Sequence, residues 1–258
     1  MKHLPKINSF YWTLIISANT MGETAGDLIS QTFNLGYGGG TIVLITLFLI
    51  ALTVSIYSKN QKTLLYWIVI TLASTAGTTI SDFISRSFFH LQLGFTENQG
   101  YTFGTLLLIV ALILTFGIWK YHSKVNTIKN GLSKRTEFLY WIAILTSSTL
   151  GTAFGDLLAH NTPLGFKGGT LLLLVLLSIV VGLAYFTKIS KELLYWLAII
   201  LTHPIGATMG DYLTKPEGMN LGNINASLTL VAVFEVVIAT GQLTKKGGLK
   251  KATTSDLK

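Results

Sequence analysis

The chain has 258 residues, half of them hydrophobic and only 12% charged, with a formal net charge of +8 and a mean hydropathy of +0.57. A soluble domain carries about twice that charged fraction, and the absence of cysteine excludes disulfides, thiolate metal sites and cysteine nucleophiles. The basic excess lies beside apolar runs, where it reads as a topology signal toward anionic lipid heads and not as a nucleic-acid surface.

The first six residues are short and basic, and the apolar stretch behind them is too long for a signal-peptide core and lacks a small-residue cleavage site. Residues 8–31 are therefore predicted to form an uncleaved membrane span. It contains Tyr11-Trp12, then Gly22, Gly26 and Asp27. Thr20, Glu23, Thr24 and Asp27 follow the i, i+3, i+4, i+7 pattern and share a helix face, with Gly22 and Gly26 nearly opposite. Leu35-Gly36-Tyr37 comes next. The glycine run from Gly36 to Thr41 superficially resembles a phosphate loop but lacks the lysine and the preceding strand. It is read as a tight turn into a second span, 41–57.

The next span, 64–88, repeats the pattern with Tyr66-Trp67, Gly77, Ser81 and Asp82, followed by Leu93-Gly94-Phe95 and a span at 102–121. The third copy has Tyr140-Trp141, Thr149, Gly151, Thr152, Gly155 and Asp156 in 138–160, then Leu164-Gly165-Phe166 and 169–187. The fourth has Tyr195-Trp196, Gly206, Thr208, Gly210 and Asp211 in 193–213, then Leu221-Gly222-Asn223 and 226–243. It departs from the others at His203-Pro204 and at Asn223.

In all four copies the aspartate stands fifteen residues after the tryptophan and the first glycine ten after it. The expected fold is an all-α membrane protein of eight transmembrane helices in four parallel two-helix repeats, at 7–58, 62–121, 136–188 and 191–244, within one membrane domain. Residues 245–258 form a basic tail. Asp27 to Leu35 and Asp156 to Leu164 are both eight residues, whereas the other two copies have longer connections. A pseudo-two-fold is therefore expected over an approximate four-fold.

Sixteen of the nineteen Lys and Arg fall at the amino end, after even-numbered spans or in the tail, against Arg86, Lys167 and Lys215 on the other side. Both termini are thus expected in the cytoplasm of a bacterial inner membrane. The Tyr-Trp pairs would lie at the cytoplasmic interface. The aspartates, fifteen residues further on, would lie about 22 Å deeper, in the outer half of the membrane.

The glycine faces are read as close helix–helix contacts. Intramembrane carboxylates are costly and face partners or water-filled cavities. If the odd-numbered helices form an inner ring, Asp27, Asp82, Asp156 and Asp211 converge with Glu23, Thr20, Thr24, Thr149 and Thr152. Asp82 and Asp211 have a cation four residues on, at Arg86 and Lys215. Asp27 and Asp156 have Gln31 and His160 there and so lack a partner on their own helix. Glu23, Asp27 and Asp156 are accordingly the expected functional acids and the candidate metal ligands. His203, which replaces Asn19, Ser74 and Ser148 at the equivalent position, is a weaker candidate and reads first as a hydrogen-bonded helix contact.

The Tyr-Trp start, the Thr-x-Gly-x-Thr-x-Gly-Asp pattern and the Leu-Gly-aromatic turn resemble a bacterial family of membrane-anchored proteins built of four copies of a repeat of unknown function. The resemblance covers almost the whole chain. It implies the repeat architecture and brings no activity, and the fourth copy departs from it most.

On the residues alone the leading expectation is a transporter or channel for a hard or borderline cation such as Mg²⁺ or Mn²⁺, since carboxylate and hydroxyl oxygens suit such ions. The alternatives are a proton-coupled carrier of a small solute and a non-transporting membrane scaffold. No hydrolase or nucleotide motif is present, so no enzyme and no cofactor is expected. The expected partners are the lipid bilayer and a transported ion, proton or small solute.

Overall fold

The computed structural model describes residues 5, 7–58, 63–122 and 134–255, and the side chains of all of these but 122 and 239–255. Lys2, Lys6, Lys59, Lys62, Lys124, Lys129 and Lys258, which carry much of the topology expectation, lie outside the described residues. The described chain is all helical. Helix α1 (Ser9–Asp27) continues into a π-helical segment, Leu28–Thr32, and is followed by α2 (Gly36–Tyr57). Helix α3 (Thr63–Asp82) likewise continues as a π-helix, Phe83–Gln92, before α4 (Glu97–His122). The second half comprises α5 (Lys134–Asn161), α6 (Gly165–Phe186), α7 (Lys191–Thr214) and α8 (Gly222–Ser255).

The Leu-Gly signature has a backbone cause. Gly36, Gly94, Gly165 and Gly222 take φ of +68°, +74°, +60° and +73°, a left-handed conformation that side chains with a Cβ resist. Each glycine is the hinge between an inner and an outer helix. The tight turn expected over the whole run Gly36 to Thr41 is confined to its first residue, and from Gly36 onward the chain is already α2.

Among the described residues six helices are long and apolar enough to cross a membrane, the composition of a multi-pass membrane protein. Helix α1 is not among them, and the described side chains of α8 form a shorter apolar stretch, Gly222–Ile238. The six fall into two groups. In α3, α5 and α7, 61–72% of the apolar window is buried, against 17–28% in α2, α4 and α6. The odd-numbered helices therefore form the inner layer. Around it α1 packs on α3, α3 on α5, α5 on α7 and α7 on α1, closing a ring. The outer helices are displaced by one repeat: α2 lies mainly on α3, α4 on α5, α6 on α7 and α8 on α1.

Glycine makes the inner contacts. A Cβ on Gly22 would overlap the side chain of Ser74, one on Gly77 that of Ser148, one on Gly151 that of His203, and one on Gly206 would meet the Asn19 side chain at 2.5 Å. Each first glycine thus meets the next repeat at the same position, around the whole ring. This is the close approach that small residues allow in membranes.

The Tyr-Trp pairs, expected at the cytoplasmic interface, pack against one another within the ring. Their tyrosines point into the ring, where Tyr11 Oη lies 2.7 Å from Tyr66 Oη and 3.0 Å from Tyr195 Oη, with Tyr140 Oη 2.9 Å from that of Tyr195. Each tryptophan packs on a tyrosine of the preceding repeat: Trp67 on Tyr11 at 5.8 Å between centroids, Trp141 on Tyr66 at 5.5 Å, Trp196 on Tyr140 at 5.6 Å and Trp12 on Tyr195 at 6.0 Å. Buried hydroxyls need partners, and four converging tyrosines supply one another. The result is an aromatic plug across one end of the ring. One turn further in, Ile15, Ile70, Ile144 and Ile199 are all buried.

Candidate functional site

Because the four tyrosines meet at one end and the helices run parallel, the four aspartates come to the other end, sixteen residues further along each inner helix. Asp27, Asp82, Asp156 and Asp211 are all buried, at 2%, 1%, 3% and 4% exposure. The expected convergence of the acids is present, but its partners differ from those expected. Lys215 Nζ lies 2.5 Å from Asp27 Oδ2 and 3.5 Å from Asp211 Oδ1. Arg86 Nε lies 3.1 Å from Asp82 Oδ1, and Arg86 Nη2 lies 3.6 Å from Asp156 Oδ2. Asp27 and Asp156 therefore do not lack a cation. Each takes it from the preceding repeat around the ring, since α7 adjoins α1 and α3 adjoins α5. Ring closure supplies these partners, which spacing along one helix does not contain.

The layer is two-fold in charge. It consists of two carboxylate–cation–carboxylate triads, one on Lys215 and one on Arg86. Arg86 lies over two aromatic rings, 5.9 Å from the centroid of Tyr37 and 5.5 Å from that of Tyr101. Tyr101 in turn donates to Glu97 at 2.7 Å. Asp27 also accepts at Oδ1 from Gln31 Nε2 at 2.5 Å. Gln31 and Arg86 both lie in the π-helical segments that follow Asp27 and Asp82. His160, the residue matching them in the third repeat, stacks on Tyr101 with centroids 5.1 Å apart.

One turn toward the ring's middle, the equivalent positions are Glu23, Thr78, Thr152 and Ala207. Glu23 is buried at 4% exposure, and its Oε2 accepts hydrogen bonds from Thr78 and Thr152, both at 2.9 Å. No Lys, Arg or His is within ion-pair distance of it among the described residues. The two threonines lie on α3 and α5, so the pocket of Glu23 is made by three repeats. Its side chain packs against Gly210 of α7, where a Cβ would come within 2.8 Å of the Glu23 Cβ.

The other expected residues are divided. Thr152 reaches Glu23, as above. Thr20 and Thr149 bond back to Ile16 and Leu145 carbonyls at 2.9 Å, and Thr24 donates to the Met21 carbonyl at 3.2 Å while accepting from Ser227 of α8 at 3.0 Å. These three hydroxyls stay outside the acid cluster, because a threonine on a helix satisfies itself one turn back. His203 lies one layer nearer the aromatic plug, with Nδ1 2.9 Å from the Ile199 carbonyl and 3.2 Å from Ser147 Oγ. It is a helix contact. Among the described residues no three His, Asp or Glu side chains come together in a group that could hold an ion.

Sequence reasoning missed Thr78 as a partner of Glu23, and Gln31 as a partner of Asp27. The signal for Thr78 was available, because it occupies in the second repeat the position of Glu23 in the first. A cleft of about 460 Å³ opens beside Lys215, lined by Gln31, Thr32, Thr214, Asn223 and Asn225 among others.

The sequence model of a repeat of unknown function, DUF347, matches the chain four times in tandem, over residues 10–61, 65–124, 139–190 and 194–246. No curated protein and no solved structure matches it.

Proposed function

The chain belongs to the family defined by this repeat of unknown function, and from that premise we propose that it is a multi-pass membrane carrier coupling proton movement to the transport of a small solute. Glu23 is the proton site. The observation that carries this is a buried carboxylate, hydrogen-bonded by two threonines from two other repeats, with no cation beside it among the described residues. Five carboxylates face two cations in this end of the ring, which leaves three negative charges by count. A membrane interior does not hold such an excess unneutralised. A proton needs one oxygen, whereas a divalent ion needs a cage of six or more oxygens or tightly held waters. The side chains here are paired off into triads and do not form such a cage.

In this reading all eight helices span a bacterial inner membrane with both termini in the cytoplasm, the tyrosine plug faces the cytoplasm and the aspartate layer faces outward. The same excess of negative charge favours a second reading, passage of a hard cation such as Mg²⁺ or Mn²⁺. In proteoliposomes under an imposed proton gradient, uptake of glycine, putrescine, Mg²⁺ and Mn²⁺ by wild type and Glu23→Gln separates the two. Gradient-driven uptake of an organic solute that is lost in Glu23→Gln, with an unchanged melting temperature, is the expected result. Uptake of the metals alone supports the second reading. If nothing moves, the chain is a scaffold. Reporter fusions at Gly100 and at Lys258 test the orientation, and a periplasmic carboxyl terminus would overturn it.

A further inference from the structure

The two triads of the aspartate layer differ in one respect that bears on the solute. Arg86 is about as exposed as Lys215, at 20% against 22%, but it lies over the rings of Tyr37 and Tyr101, and its guanidinium is a rigid, planar group. Lys215 instead forms part of the wall of the 460 Å³ cleft. Asn223 lines that cleft, in the place where the first three repeats put Tyr37, Phe95 and Phe166 after the hinge glycine. The fourth copy has thus lost the aromatic residue and gained an opening at the same point.

We propose that the Asp27–Asp211 pair is the binding site for a primary ammonium group of the solute, and that the ammonium of Lys215 occupies it as a tethered stand-in until the solute displaces it. This rests on the carrier reading above and adds the solute class. Lys215 shows that a primary ammonium fits between these carboxylates, with Oδ2 of Asp27 at 2.5 Å and Oδ1 of Asp211 at 3.5 Å. The other oxygen of Asp27 is oriented by Gln31, so the carboxylate is aimed whether or not Lys215 is present. The flexible four-carbon stem of lysine lets its ammonium withdraw into the cleft, which its 22% exposed side chain already borders. The cleft has the volume of a small-molecule site, for which about 300 Å³ is the lower bound, and a bare ion would leave it almost empty. Its amides and hydroxyls, from Gln31, Thr32, Thr214, Asn223 and Asn225, suit the polar remainder of such a solute. Glu23 is one turn away on the same helix as Asp27, so a cation arriving at this pair acts directly on the proton held there.

The test is binding to the full-length protein in detergent, read by thermal stability, with ethylammonium as probe, tetramethylammonium as a cation of equal charge without N–H donors, and acetate as an anion. A site filled by its own lysine binds a competitor with an affinity reduced by the fraction of time it is empty, so Lys215→Gln is expected to bind ethylammonium at least about tenfold more tightly than wild type. Tetramethylammonium should have no effect, and Asp27→Asn in the Lys215→Gln background should remove the gain. Arg86→Gln should create no such response. If Lys215→Gln does not fold alone, ethylammonium added during purification should restore its monodisperse elution and tetramethylammonium should not. Absence of both binding and rescue overturns the proposal, as does equal stabilisation by tetramethylammonium. Stabilisation of wild type by acetate would make Lys215 an anion site and overturn it too. Because this readout involves no transport, it can fail while Glu23-dependent uptake succeeds, and the reverse.

Discussion

Glu23 occupies a height at which the ring could have held four acids and holds one, since Thr78, Thr152 and Ala207 stand at the matching positions. Symmetry is broken where a single proton would be handled and kept one turn away, where all four aspartates persist. Those aspartates depend on their cations. Arg86→Gln leaves Asp82 and Asp156 buried without a counter-charge, and removing one partner of a buried pair costs about 3–5 kcal/mol. The variant should melt well below wild type in detergent, with Arg86→Lys recovering part of the loss, because it restores the charge without the planar set of donors. Equal melting temperatures for Arg86→Gln and wild type would mean that the carboxylates find their counter-charge elsewhere. At this scale the sequence was half legible. Asp82–Arg86 and Asp211–Lys215 are four apart and can be read from spacing. The bond from Lys215 to Asp27 joins residues 188 apart, and no periodicity within one helix announces it.

Helices touch here through glycine, and the positions differ sharply in what a side chain would meet. A Cβ on Gly77 falls against Ser148 and 2.9 Å from the Thr149 nitrogen, whereas on Gly117 of α4 or Gly182 of α6 it meets nothing within 4 Å. Overpacking a well-packed contact costs about 1–3 kcal/mol. Gly77→Ala and Gly151→Ala should therefore lower the melting temperature by several degrees, while Gly117→Ala and Gly182→Ala should be silent or slightly stabilising. Comparable effects at all four positions would contradict the ring contact. The small-residue faces were readable from the sequence, because their spacing needs only helix geometry. The clustering of the Tyr-Trp pairs is not readable in the same way. An amphipathic ring near a helix end fits both a lipid headgroup and a cluster of its own copies, and only the four-fold assembly favours the second.

The whole molecule is a closed circle of repeats cut at one place. Helix α7 meets α1 as α3 meets α5, and α8 covers α1 as α2 covers α3. The cut could accordingly be moved. A circular permutant beginning at Lys134, with the old termini joined by a flexible linker, should fold to a monodisperse protein melting within a few degrees of wild type. Failure of that permutant to fold would mean that the repeats are not interchangeable in assembly. The repeat count was legible because the motif recurs with fixed spacing, but the one-repeat offset of the outer helices was not, since a loop of a few residues permits packing on either neighbour. Closure also sets a schedule for biosynthesis. The ribosome delivers Glu23 and Asp27 first, and the lysine that neutralises Asp27 follows 188 residues later. A chain that stops short of the fourth repeat therefore lacks the cation that pairs with Asp27 in the closed ring.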